Sequence, residues 1–135
     1  RDEFLALIQT GFIDILFANM HELRSLYQTA DLVTAVAALK QENILGVVTC
    51  SDKGALVIEN QQVITAPAFP VDEVVDTTGA GDLFAAGFLF GHARGLGLLS
   101  SAKLGALAAS EVISHVGARP QHSLHDLAQA QGLLP

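Results

Sequence analysis

Basic residues are scarce in this chain, where 7 Lys and Arg stand against 14 Asp and Glu for a formal charge of −7. With no run of Lys or Arg to offset it, that balance argues against binding to nucleic acid or to an anionic membrane through bulk charge. Any phosphate must be held by local backbone geometry or by a metal. The single cysteine, Cys50, cannot form an internal disulfide, which fits a reducing compartment and makes the cytoplasm the expected location. Apolar runs are short. Each is broken by Gly, His or a charge well before the ~20 residues needed to cross a bilayer, and no signal-peptide pattern is visible. Internal repeats, heptads and low-complexity tracts are absent too. So is the phosphate-loop pattern G-x-x-x-x-G-K-[ST], and Gly79-Ala80-Gly81 lacks the third glycine of a dinucleotide-binding fingerprint.

What is present is apolar: half of the 135 residues, with only 16% charged. That is the composition of a packed globular chain, and the length expects one domain, residues 1–135, with a core of its own. The chain opens at Arg1 in what reads as the middle of a helix, as a piece of a longer protein would.

Phe4, Leu5 and Ile8 recur at helical spacing before Gly11, and residues 13–18 form an apolar run of strand length. Two helices are expected over 19–28 and 31–41, then a buried strand over 44–50. Residues 55–58 and 62–65 flank Asn60-Gln61 as the arms of a hairpin would. Pro67 and Pro70 make 66–76 an extended connector. A helix over 80–93 carries Gly87 and Gly91 and must be held by packing. Ser100 or Ser101 is expected to cap a long helix reaching about Val116, Gly117 and Pro120 to end it, and a last helix to cover 124–131. The alternation points to an α/β fold, a mostly parallel sheet flanked by helices with an antiparallel hairpin attached. Ligands of such sheets sit beyond the carboxyl ends of the strands, which directs attention to the loops after Ala18, Cys50 and Asp76.

The most unusual stretch is Asp76-Thr77-Thr78-Gly79-Ala80-Gly81-Asp82, small residues leading straight into a helix. Gly79 and Gly81 let a ligand approach the main chain. The amides of residues 79–82 are then donors at the positive end of a helix dipole, suited to a phosphate or to the charge that develops as one is transferred. Asp82, in the first turn, could take the proton of a substrate hydroxyl. The plainer alternative is a tight turn followed by an acid that complements the dipole.

Residues 76–87, Asp-Thr-Thr-Gly-Ala-Gly-Asp-Leu-Phe-Ala-Ala-Gly, closely resemble the second signature of the ribokinase-like (PfkB) carbohydrate and nucleoside kinases. The resemblance implies that Asp82 is the catalytic base and that Gly79, Ala80 and Gly81 form the anion hole. Asn19-Met20-His21-Glu22 is similar to the family's N-x-x-E, in which the Asn meets nucleotide phosphate and the Glu orients Mg²⁺ through water. The position after the Asn is often acidic in relatives and is Met20 here. Read alone, Asn19 and Glu22 have the spacing of a helix capping box, and the two readings are compatible. Thr49-Cys50-Ser51-Asp52-Lys53-Gly54 resembles the T-x-G-x-x-G nucleotide loop, with Thr49, Ser51 and Gly54 at the matching positions and Ser51 where glycine is common. Read alone, it is an ordinary polar turn.

By the same resemblance Asp76 and Thr78, with backbone near Gly117-Ala118, correspond to positions that bind a monovalent cation, for which oxygen ligation suits K⁺. Residues 106–110 and 116–118 fall where relatives line the adenine pocket. His21, His92, His115, His122 and His125 make no case for a metal, and Cys50 reads as core or loop lining.

The resemblance implies an ATP-dependent, Mg²⁺-assisted kinase acting on a hydroxyl of a sugar or nucleoside, a homodimer when whole, and similar in wording to bacterial adenosine-kinase-like sugar kinases. It matches the C-terminal portion of that family. The N-terminal portion, which grips the acceptor and forms a lid, is expected to be missing, leaving this piece inactive by itself. The alternative from another class is a nucleotide-binding or regulatory module without catalysis.

Overall fold

The computed structural model describes all of residues 1–135. The chain gathers into two compact units, Arg1–Ser51 with Ala55–Thr65 and Asp52–Gly54 with Ala66–Pro135.

The first unit is an α/β layer. Its helices are α1 (Asp2–Gln9), α2 (Met20–Leu26) and α3 (Leu32–Lys40), and its strands are β1 (Ile15–Asn19), β2 (Leu45–Thr49), β3 (Ala55–Glu59) and β4 (Gln62–Ala66), in sheet order β1-β2-β3-β4. The sheet is mixed: β1 and β2 run parallel, whereas β2 and β3 run antiparallel. The β3–β4 hairpin turns at Asn60 and Gln61, with φ of 53° and 67°, the left-handed pair that suits the twist of a two-residue turn.

Strand alternation sorts the side chains. Leu16, Val48 and Ile58 share a core with Ile8, Leu23, Ala35 and Leu39 from the three helices. Gly46 belongs to that face because a Cβ there would stand 2.7 Å from Leu39 Cδ2. Leu45, Val47 and Val57, on the opposite face, are buried as well, which is why these strands read as continuous apolar runs.

The second unit is helical. After the connector, α4 (Ala80–Ala93) packs against α5 (Leu98–Ile113), and α6 (Leu124–Ala130) docks on α5 through Ala128 and Leu127 against Leu104 and Leu107. Glycine explains how α4 and α5 approach. A Cβ on Gly87 would lie 2.6 Å from the Leu104 carbonyl oxygen, and one on Gly105 would lie 2.7 Å from that of Phe84. The residues that make α4 a poor helix by propensity are those that let the backbones touch.

The start of α5 departs from expectation. Its N-cap is Gly97, at φ 86°, and neither Ser100 nor Ser101 caps it. Ser101 is fully buried inside the helix, and its hydroxyl donates back to the Gly97 carbonyl at 2.6 Å, where Gly91 leaves room for it. The helix also stops at Ile113, three residues before Val116. No helix is long and apolar enough to cross a membrane.

Candidate active site

In the first unit, Asn19 and Thr49 are cross-strand partners at the carboxyl ends of β1 and β2. Asn19 caps α2. Its Oδ1 accepts from the Glu22 amide at 2.7 Å, and Glu22 Oε1 accepts from the Asn19 amide at 2.9 Å. The capping box is therefore real, and it holds two of the expected site residues beside a third, on the edge where α/β sheets receive ligands. Ser51 follows at φ 53°, so a serine here adopts the left-handed backbone that glycine favours. Gly54 belongs to the second unit and is obligatory: it sits at φ 94°, and a Cβ would overlap the Ala66 carbonyl oxygen at 2.0 Å.

In the second unit the loop before α4 is built around Asp76. Its Oδ1 accepts from the Thr78 hydroxyl at 2.6 Å and from the Thr78 amide at 2.9 Å, and its Oδ2 accepts from the Gly117 amide at 3.0 Å. These donors, the Thr78 hydroxyl first, hold its carboxyl down at about 2. The Val75 and Asp76 amides both donate to the Ile113 carbonyl, tying the loop to the end of α5. Gly79 then turns the chain at φ 81°, ψ 1°, close enough to Ala118 that a Cβ would stand 2.8 Å from that residue's own.

The amides divide. Ala80 donates to the Thr77 carbonyl at 3.2 Å, closing a turn, whereas those of Gly79, Gly81 and Asp82 meet no protein acceptor. Of the four expected donors, three are free. Gly81 is exposed, with no atom within 4 Å of a Cβ built on it. Asp82 is the third residue of α4, exposed, and its carboxylate accepts no hydrogen bond from the protein. Unpaired amides at a helix N-terminus with a free carboxylate alongside can hold an anion while removing a proton from a neighbouring hydroxyl.

Two residues behind this loop escaped the sequence reading as a pair. Glu111, in the last turn of α5, is buried, and its Oε1 accepts from His115 Nε2 at 2.5 Å and from the Gln121 amide at 2.9 Å. His115 Nδ1 faces the Val116 carbonyl at 3.1 Å. Each ring nitrogen thus has an oxygen within reach, an arrangement that favours the protonated ring. The Val116 carbonyl, then Glu111, raise its pKa against the opposing effect of desolvation. Burial alone would raise the Glu111 pKa, but the Gln121 amide and His115 outweigh it and hold the carboxyl below its ordinary value. Glu111 Oε2 is buried without a partner, which costs on the order of 1–3 kcal/mol. The signal for the pair was the i, i+4 spacing of Glu and His. No group of three or more His, Cys, Asp or Glu is arranged to hold a metal. Of the stretch expected at the adenine pocket, Ala106, Leu107 and Ala108 are buried in α5, and only Ala109 and Ser110 are partly exposed.

The profile of the pfkB family of carbohydrate kinases matches residues 1–124. The chain belongs to that family. Among solved structures it is similar to a probable sugar kinase from Rhizobium etli, with 44% identity and a TM-score of 0.96 over 98% of this chain and 40% of that one. The adenosine kinase from Sinorhizobium meliloti superposes with a TM-score of 0.93 at 44% identity, over 96% of this chain and 39% of that one. The cytidine kinase of Thermococcus kodakarensis is 36% identical over 108 residues, 78% of this chain and 38% of that protein. The chain thus spans about two fifths of the length of these relatives. The ribokinase-like fold and the adenosine-kinase-like wording of the sequence both agree with these pfkB relatives.

Proposed function

We propose that this chain is the nucleotide-handling portion of a kinase that moves the γ-phosphoryl group of ATP onto a hydroxyl of a sugar or nucleoside. One observation carries the reading: the free amides of Gly79, Gly81 and Asp82 stand beside the unengaged Asp82 carboxylate. Asp82 takes the acceptor proton as the acceptor oxygen forms its bond to phosphorus and the bond to ADP breaks. The three amides receive the charge on the equatorial phosphoryl oxygens, where fixed donors favour the transition state over the ground state. Asn19, Thr49, Ser51 and Gly54 serve the nucleotide phosphates. A pure binding module has no use for a free carboxylate at the anion hole, which weighs against the non-catalytic alternative. The relatives' names support an acceptor of the sugar or nucleoside class.

For Mg²⁺ the donor set fits. Glu22 spends one oxygen on its cap and leaves the other, exposed, to meet a metal-bound water. When bound, the ion neutralises charge on the transferring phosphates. For K⁺ the fit at Asp76 and Thr78 is poorer, because three hydrogen bonds already fall on the Asp76 oxygens. We assign Asp76 to anchoring the Gly117 loop and route no step through a monovalent cation. By itself this chain is expected to bind ATP weakly and to transfer phosphate slowly or not at all.

The test is Asp82→Asn in the full-length protein, screened with ATP against sugars and nucleosides for ADP release. A fall in kcat on the order of 10²–10⁴ with ATP affinity retained supports the assigned base, and wild-type turnover refutes it.

A further inference from the structure

Between α5 and α6, residues 114–121 bring Gly117 and Ala118 to the anion-hole loop: the Gly117 amide donates to Asp76, and Ala118 packs on Gly79. That segment lacks regular structure and is largely exposed. What fixes it lies behind it. Glu111 Oε1 grips it at His115 on one side of Gly117-Ala118 and at the Gln121 amide on the other.

We propose that Glu111 is a positioning residue for phosphoryl transfer, clamping the 114–121 segment at both ends so that Gly117 and Ala118 hold Asp76 and Gly79 in register with the free amides. This rests on the kinase reading above. Glu111 is buried behind the loop and acts through the backbone it grips. The second oxygen of Glu111 takes no part in either grip, so a simple packing role would be served as well by an uncharged side chain. The charge matters because a single carboxylate oxygen faces both the His115 ring and the Gln121 amide. His122, with Nδ1 at 3.7 Å from the same oxygen, is exposed and contributes less.

The test is Glu111→Gln in the full-length enzyme, which keeps size and one acceptor while removing the charge. The expected result is a fall in kcat of about tenfold or more, since misplacing transition-state donors costs rate. Amide exchange at Gly117 should quicken by about tenfold while the Leu107 and Ala108 amides keep their protection. Unchanged exchange at Gly117, unchanged kcat, or loss of protection throughout α5 overturns the proposal. If Glu111→Gln does not fold, His115→Gln breaks the same pair from the other side and is judged by the same criteria. Failure of the kinase reading shows separately, as absence of phosphoryl transfer by the wild-type enzyme. Exchange at Gly117 judges the clamp in either case.

Discussion

At Gly81 a methyl group would meet no protein atom within 4 Å, and the backbone is ordinary helix, so nothing in the fold demands glycine there. Gly81→Ala should leave the urea midpoint unchanged or slightly raised, as a helix-favouring change. Its kcat should fall, because the new Cβ occupies the approach to a free amide. Gly79 is the opposite case. Gly79→Ala meets both a left-handed backbone, which costs roughly 1–2 kcal/mol, and Ala118 at 2.8 Å, so it should lower stability and activity together. Ser51, at φ 53°, gives a third contrast: Ser51→Gly should be neutral or stabilising by about 1 kcal/mol in a denaturant titration, and a clear loss would contradict the backbone assignment. The identity of these positions was legible in the letters. The engagement of the Ala80 amide by Thr77 was not, because it depends on how the turn closes and on no residue type.

Among the elements, α4 and α5 show why propensity misleads. Glycines at 87, 91 and 105 weaken isolated helices, and each marks where the two backbones meet. Gly105→Ala should therefore destabilise by about 1–3 kcal/mol in spite of its better helix propensity, the overlap with the Phe84 carbonyl outweighing the gain. An increase in the denaturation midpoint would show that the helices can slide apart at no cost. Most element identities were readable, since buried strands such as residues 45–49 carry strong local signals. What local pattern could not show was the cap of α5. Ser101 satisfies the sequence rule for an N-cap but is drawn into the helix by a contact with Gly91, a residue ten positions away that folding brings beside it.

For the whole molecule, charge and titration set testable limits. With a net charge of −7 and no basic cluster, nucleotide affinity should not fall steeply with added salt, since backbone amides carry the anion. Stability should depend on pH through the clamped segment. Asp76 has a folded pKa of about 2, below its unfolded value, so its contribution is present above roughly pH 4 and is lost as pH falls toward 2. His115 is shifted upward, so its contribution is full below about 6.5 and is lost as pH rises through the higher folded value. The urea midpoint should accordingly be higher at pH 5.5 than at pH 8.5, and His115→Gln should shrink that difference; an unchanged difference would remove His115 from the account. Contacts gather in two units, a division that neither length nor overall composition marks.

The most direct measurement is the amide spectrum of the full-length enzyme titrated with Mg²⁺, ADP and aluminium fluoride, a planar mimic of the phosphoryl group in transit. The amides of Gly79, Gly81 and Asp82 should shift most, and that of Ala80, already spent on Thr77, should shift least. Large shifts elsewhere with these three unmoved would contradict the account.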